Sequence, residues 1–372
     1  MKKLGFGLMR LPLMPGGSSR DVDMNVVKLM ADVFMDNGFT YFDTAYMYHN
    51  YFSEAVFRRT VVPFHARDSY TVADKMPTIF LRREEDMPEI FERQLRRCGV
   101  DYFDYYMMHD VNMSNYDSTV QRLGEFEFLL DRKREGLVRH VGFSYHDDAV
   151  LLDRILTEHP EAEFVQLQIN YMDWDSDSIQ SRLCYETAVR HGKRVIAMEP
   201  VKGGTLASVP EAAEMIFRDR RPDMSPASWA IRYSASLPEV MVVLSGMSNM
   251  SQLCDNVGYM KDFVPLDDGD YKTVESALNV IRGAIDIPCT GCGYCLEGCP
   301  KNIAIPKYFA LYNTERLLGS RDFSTQQEYY SNITETHGRA SDCIRCGKCE
   351  KICPQHLNIR ECLEDVADMF ER

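Results

Sequence analysis

GFTYFDTAYMYHNYFSEAVFRRTVVPFHARDSYTVADK, residues 38–75, holds one full repeat of the pattern that decides the fold. A β-rich run, Phe39–Asp43, gives way to a helical stretch and then to a second β-rich run, Tyr70–Lys75. The alternation continues outward, with Leu4–Leu8 before it and Phe103–Met108, Val138–Phe143, Phe164–Ile169, Arg194–Met198 and Val240–Leu244 after it. Such a rhythm is the mark of repeated βα units around a parallel sheet. Eight strands within about 250 residues fit a closed α/β architecture, a (β/α)8 TIM barrel, better than an open sheet. The first helix places Val26, Val27, Met30, Val33 and Phe34 on one face, with Asp21 or Asp23 as cap and Gly38 just past its end. Another is expected from about Asp117 to Glu135, closing on Arg132, Lys133 and Arg134, whose charge suits a helix C-terminus.

At 372 residues the chain exceeds one ordinary domain. Its 42 Lys and Arg against 56 Asp and Glu give a net charge of −14, which repels phosphate backbones and argues against nucleic acid as a partner. No apolar run approaches the roughly 20 residues of a membrane span. The opening MKKLGFGLMRLPLM has a signal-like start, but Arg10 interrupts it and no small-residue cleavage site follows, so a cytoplasmic protein is expected.

Near residue 284 the βα rhythm stops. Residues 263–285 read as a connector with an acidic tip, Asp267–Asp268–Gly269–Asp270, and a short helix, which suggests domains at 1–283 and 284–372. Eight of the 12 cysteines then fall into two copies of C-x2-C-x2-C-x3-C-P: Cys289, Cys292, Cys295 and Cys299, then Cys343, Cys346, Cys349 and Cys353. Regular clustering of this kind argues for metal and not for disulfides. Zinc is the alternative, although four-cysteine zinc sites usually show two separated C-x2-C knuckles. The spacing is that of bacterial iron–sulfur motifs, and over about residues 284–360 the chain resembles the two-cluster [4Fe-4S] ferredoxins. The resemblance implies a small ferredoxin-like domain with two [4Fe-4S] clusters, in which each fourth cysteine serves the other cluster. Cys289, Cys292, Cys295 and Cys353 then hold one, and Cys343, Cys346, Cys349 and Cys299 the other.

In a (β/α)8 barrel, polar residues at the C-terminal ends of strands read as catalytic. Asp43 ends the second strand, Tyr48 follows it, Lys75 ends the third and His109 ends the fourth. Singly, these could be a cap, a loop aromatic, a solvated tip and a core histidine. Together they suit protonation of a carbonyl oxygen as hydride reaches its carbon. A tyrosine is a weak acid at neutral pH, and an adjacent ammonium is expected to move its pKa toward the working range. Lys75 would supply that charge, Asp43 would hold the lysine, and His109 would orient the substrate oxygen.

FDTAYMY (42–48), ADK (73–75) and YYMMHD (105–110) resemble the catalytic motifs of the aldo-keto reductases, over roughly residues 4–262. The resemblance implies a catalytic tetrad of Asp43, Tyr48, Lys75 and His109, and a small carbonyl or alcohol substrate. It also implies NAD(H) or NADP(H), held at Met9, Arg10, Asp43, Ser144, Gln168, Met198, Ser245, Gly246, Met247, Gln252 and Asn256. Joined to the cysteine motifs, the chain is similar to iron–sulfur aldo-keto reductases of anaerobic prokaryotes. Three features depart from the family pattern. Ser-Asn after the fifth strand is Ser144-Tyr145, the aromatic that stacks on nicotinamide is Met198, and the Lys and Arg that often hold a 2′-phosphate are Gly246 and Gln252. NAD against NADP stays undecided, and a flavin in the same cleft stays open.

A dinucleotide moves two electrons as hydride and each cubane moves one, so three readings stand. The clusters relay electrons to or from a partner, they are purely structural, or the chain is a redox-sensing subunit. A relay would call for a carrier such as a ferredoxin or flavodoxin, with Arg345, Lys348 and Lys351 as a basic patch beside the second motif. Substrate identity, reaction direction and oligomeric state are not legible.

Overall fold

The computed structural model describes residues 2–371 apart from 177–178, 290, 292, 319–324 and 354. The chain forms two compact units, Met1–Val209 with Phe217–Val274, and Pro210–Ile216 with Glu275–Arg372.

In the first unit eight strands close into an all-parallel barrel: β1 (Leu4–Gly7), β2 (Tyr41–Asp43), β3 (Thr71–Met76), β4 (Phe103–Val111), β5 (Val138–Tyr145), β6 (Phe164–Gln168), β7 (Arg194–Met198) and β8 (Val240–Gly246), which pairs back onto β1. Side chains alternate across each strand. Tyr41, Ala73, Met107, Phe164, Ile196, Val242 and Leu244 fill the barrel interior. Their neighbours, among them Phe6, Phe42, Val72, Tyr106 and Phe143, pack outward against the helices. Gly5 faces the crowded interior, where a Cβ would meet Leu244 and Val242 at 2.8 Å.

The same alternation sets the polar residues. Counting by two from Tyr41, Ala73 and Met107 places Asp43, Lys75 and His109 inside the barrel at its C-terminal end, and sends Asp74 outward. The ladder fixes their heights, with Asp43 level with Ala73 and Lys75 level with Met107. Beyond Met108 the β4–β5 register shifts before Val111, and Asp110 takes a φ of 62°. β4 therefore does not end at Met108 as expected but continues through a bulge that carries His109. Bulges of this kind re-aim side chains next to sites.

Two helical expectations need correction. The first helix, Met24–Asp36, is capped by Asp23, whose carboxylate accepts the Asn25 and Val26 amides. The helix expected over Asp117–Glu135 is instead two pieces, a wide turn at Tyr116–Gln121 and the helix Glu125–Arg134, because Gly124 adopts a φ of 67°. The short helix of the connector is a long one, Asp268–Ala284. Its acidic start is tied to the barrel unit by Arg220 on Asp267 at 2.8 Å and by Arg221 on Asp270 at 2.6 Å.

The second unit packs Ile303, Ile305, Tyr308, Phe309, Ile359, Leu363, Val366 and Phe370 around its cysteines. In each motif the third cysteine sits in a one-turn helix, Tyr294–Glu297 or Lys348–Lys351, entered through a glycine of positive φ, Gly293 at 83° or Gly347 at 70°. No described helix is long and apolar enough to cross a membrane.

Candidate active site and cluster cavities

At the C-terminal end of the barrel the Lys75 ammonium lies 2.6 Å from Asp43 Oδ1 and 2.7 Å from the Thr44 carbonyl. Lys75 is fully buried and Asp43 nearly so. The Lys75 nitrogen is 5.0 Å from the centre of the Tyr48 ring, which meets His109 edge-on at 6.0 Å. All four predicted residues thus converge. Asp43 Oδ2 and His109 Nδ1 are buried without a hydrogen-bond partner among the described residues.

Burial, the largest single influence, would lower the Lys75 pKa, but Asp43, Tyr48 and Asp74 together outweigh it and raise the value, so the lysine stays cationic. Burial, then the Lys75 charge and His146, push His109 well below the ordinary imidazole range, which leaves it neutral with one N–H to donate. Tyr48 departs from expectation. Burial raises its phenol pKa, and the pull of Lys75 offsets this only in part. The free protein therefore holds Tyr48 protonated, as an acid, and not near a neutral pKa.

The backbone after Tyr48 is unusual. His49, Asn50 and Tyr51 all have positive φ, at 50°, 50° and 65°, a conformation that costs energy for residues other than glycine and clusters at functional sites. His49 secures the turn, since its Nε2 accepts the Leu11 amide at 3.0 Å and its Nδ1 reaches the Ser19 carbonyl at 2.7 Å. Behind β3 a second polar group backs the lysine. Asp74 accepts the Lys75 amide at 2.8 Å, and Gln94 donates to the Lys75 carbonyl at 3.0 Å while accepting from Tyr106 at 2.6 Å. Glu54, also fully buried, contacts Arg97 at 3.1 Å. Burial and then the Asp74 charge push its carboxyl up to about 9. The sequence reading missed His49, Asp74 and Gln94. Asp74 had one signal, a carboxylate on the outward, helix-facing side of a central strand.

The predicted cofactor positions differ in what they offer. Ser144 Oγ accepts the Asp110 amide at 2.8 Å and keeps its own hydrogen, while Gln168 donates to Asp173 at 2.9 Å and keeps its oxygen. That pair, one donor and one acceptor, matches a carboxamide. Met198 closes β7 and is nearly buried. At the far end Asn256 is committed, donating to Ser245 at 2.8 Å and accepting from Tyr259 at 2.5 Å. The Met247 side chain is fully buried in the core, so it has only backbone to present. Gly246 lies under Arg10, where a Cβ would fall 3.2 Å from the arginine Cβ. Gln252 accepts the Ser248 amide at 2.7 Å. Met9 and the Arg10 side chain are about half exposed beside them.

In the second unit two cavities each draw on both motifs. Cys299 shares one with Cys343, Cys346 and Cys349, and Cys353 shares the other with Cys289 and Cys295. Cys292 lies outside the described residues. Both linings are otherwise mostly apolar, with Ile303, Ile305 and Leu363 in one and Ile305, Phe309 and Ile359 in the other. Backbone amides approach the sulfurs, Gly291 on Cys289 at 3.4 Å and Ile303 on Cys299 at 3.5 Å. In the first cavity three thiols from one motif and one from the other, in a mostly apolar lining, are a donor set that fits a cubane, and the second shows two and one among the described residues.

Sequence comparison agrees with these two halves. Residues 3–279 match the aldo/keto reductase family and residues 288–358 match a 4Fe-4S dicluster domain. An uncharacterized oxidoreductase of Schizosaccharomyces pombe, C215.11c, is 23% identical over 273 residues, 69% of this chain and 81% of its own. L-Galactose dehydrogenase of Arabidopsis thaliana is 24% identical over 275 residues, 66% and 82% of the two chains. Among solved structures, the thermostable aldo-keto reductase Tm1743 superposes with a TM-score of 0.59 at 19% identity, covering 74% of this chain and 94% of that one. An aldo/keto reductase of Klebsiella pneumoniae in complex with NADP and acetate gives 0.58, also at 19% identity, covering 74% and 90%. The chain belongs to the aldo/keto reductase family, as an oxidoreductase whose barrel is followed by a 4Fe-4S dicluster domain.

Proposed function

We propose that the protein interconverts a small carbonyl compound and its alcohol at the barrel mouth, and exchanges the electrons with a carrier protein through two [4Fe-4S] clusters. The observation that carries this reading is the convergence of Lys75, Asp43, Tyr48 and His109 at the C-terminal end of the barrel.

In reduction, neutral His109 donates a hydrogen bond to the substrate oxygen and aims it at Tyr48. Tyr48 gives that oxygen its proton as negative charge develops there, and the Lys75 ammonium stabilises the phenolate left behind. Asp43 and the Thr44 carbonyl hold Lys75 in place. Oxidation of the alcohol runs the same proton the other way. Ser144 and Gln168 would hold the carboxamide of a nicotinamide dinucleotide, a group that would supply or accept the hydride. NADP in the K. pneumoniae neighbour supports that cofactor class, and flavin draws no support from it. The eight motif cysteines would hold two clusters that each carry one electron at a time, and returning an oxidised dinucleotide to its hydride-bearing form would take two such electrons together with a proton from solvent.

Tyr48→Phe keeps the ring and removes the proton donor. Across a panel of aldehydes and ketones, turnover should fall by about 10²–10⁴ with unchanged iron content. Full turnover in this variant would refute the assignment.

A further inference from the structure

The two cavities of the cluster unit differ in exposure. Among the described motif cysteines Cys346 alone is exposed, and it belongs to the cavity shared by Cys299, Cys343 and Cys349. Ile344, on the same cavity's lining, is 58% exposed, and nearby Ile352 is 46% exposed. Ile344 at this cavity and Ile352 beside Gly298 are left exposed among the described residues and form an apolar surface.

Charge surrounds them. Lys301 lines the cavity. Lys348 and Ile352 lean over Gly298, where a Cβ would lie 3.9 Å from Lys348 and 3.7 Å from Ile352. Lys351 follows Lys348 by three residues on the one-turn helix, so both project from one side. The three lysines are exposed and make no ion pair among the described residues. Arg345, expected to join this patch, does not, because it is paired with Glu364. The next arginine along, Arg360, is likewise paired, with Glu350 at 2.8 Å. Three free cations around two bare isoleucines thus stand out on a chain of net charge −14.

We propose that Lys301, Lys348 and Lys351 with Ile344 and Ile352 form the docking surface for a small acidic one-electron carrier protein, which delivers or takes electrons at the Cys346 edge of the cavity it shares with Cys299, Cys343 and Cys349. The inference rests on the relay reading above. Each encounter transfers one electron between carrier and cluster, and two encounters match the pair consumed or released per carbonyl. Opposite charge steers the approach, and the isoleucines give the brief contact that a transient electron-transfer pair needs.

The test uses the holoprotein, loaded and handled anaerobically, with an acidic bacterial-type ferredoxin as probe. Binding is measured calorimetrically and electron exchange by stopped flow, at low and high salt. Screening shortens the reach of charge from about 10 Å at 0.1 M to 3 Å at 1 M salt. The parent should therefore bind tightly only at low salt. The Lys301→Glu/Lys348→Glu/Lys351→Glu variant should bind at least tenfold more weakly there, exchange electrons correspondingly slowly and lose its salt dependence, with iron content and reduction by a small neutral dye unchanged. Ile344→Ser, which alters no charge, should weaken binding at every salt concentration. Equal binding by the parent and the triple variant at low salt, or no binding by either, overturns the proposal. So does self-association of the parent that the triple variant loses, since the face would then serve a second copy. If the carrier binds and reduces the clusters but no carbonyl is turned over, docking stands and the relay reading falls.

Discussion

Replacing Lys75 by Met will destabilise the barrel by about 3–5 kcal/mol at pH 8, because it strands Asp43 as a buried, unpaired carboxylate. The size follows from the site. Lys75 is fully buried and its ammonium sits 2.6 Å from Asp43 and 2.7 Å from the Thr44 carbonyl, so neither acceptor has water to fall back on. Burial already raises the Asp43 pKa against the pull of Lys75, and without the ammonium it climbs further. A carboxyl whose folded pKa is raised is stable while protonated and loses that stability as pH rises through the folded value. The loss in Lys75→Met should therefore shrink toward acid pH. Asp43→Asn/Lys75→Met removes the stranded charge and should recover about 2 kcal/mol or more at pH 8. Urea unfolding followed by tryptophan fluorescence reads the barrel alone, since the chain's 2 tryptophans, Trp174 and Trp229, both lie in that unit. A loss below about 1 kcal/mol, or one equal at pH 5 and pH 8, would refute the buried ion pair.

Two further outcomes follow from the same side chains. Burial and Asp74 push the Glu54 carboxyl from 4.5 up to about 9, so its contribution is complete below pH 4.5 and lost as pH rises through about 9. Stability of the parent should therefore fall with pH across this window relative to Glu54→Gln, by up to about 1.4 kcal/mol per pH unit, and parallel curves would contradict it. Iron analysis after anaerobic preparation should find about eight iron atoms per chain from two four-iron clusters, and Cys349→Ala should lose one cluster while keeping the other; about two zinc atoms per chain would contradict the assignment.

The cysteine chemistry was legible because it is local. Spacing within eleven residues names the donor set, and the crossed pairing of Cys299 and Cys353 that the ferredoxin resemblance implies is matched by the two cavities. The barrel was legible through its alternation, which also aims Asp43, Lys75 and His109 inward. What escaped the sequence depends on neighbours distant along the chain. The bulge after Met108 is a register property of two strands. The helix break rests on one φ at Gly124, and Arg345 left the basic patch because Glu364, nineteen residues on, neutralises it. Tyr48 was expected to have a lowered pKa from the presence of Lys75 alone, whereas the packing around the ring raises it. Burial is a three-dimensional quantity, and a one-dimensional reading of charges overlooks it.

The most direct test of a barrel supplied with electrons through clusters is to watch the clusters during carbonyl turnover. Holoprotein reduced photochemically under anaerobic conditions, freed of the reductant and given a catalytic trace of dinucleotide, is mixed with an aldehyde substrate, while visible absorbance and electron paramagnetic resonance follow the clusters. The account predicts that the clusters reoxidise as alcohol forms, two electrons per alcohol, and that Tyr48→Phe slows this while leaving the clusters intact. Clusters that stay reduced throughout, while added NADH or NADPH supports full aldehyde turnover, would contradict it and make the dicluster domain structural.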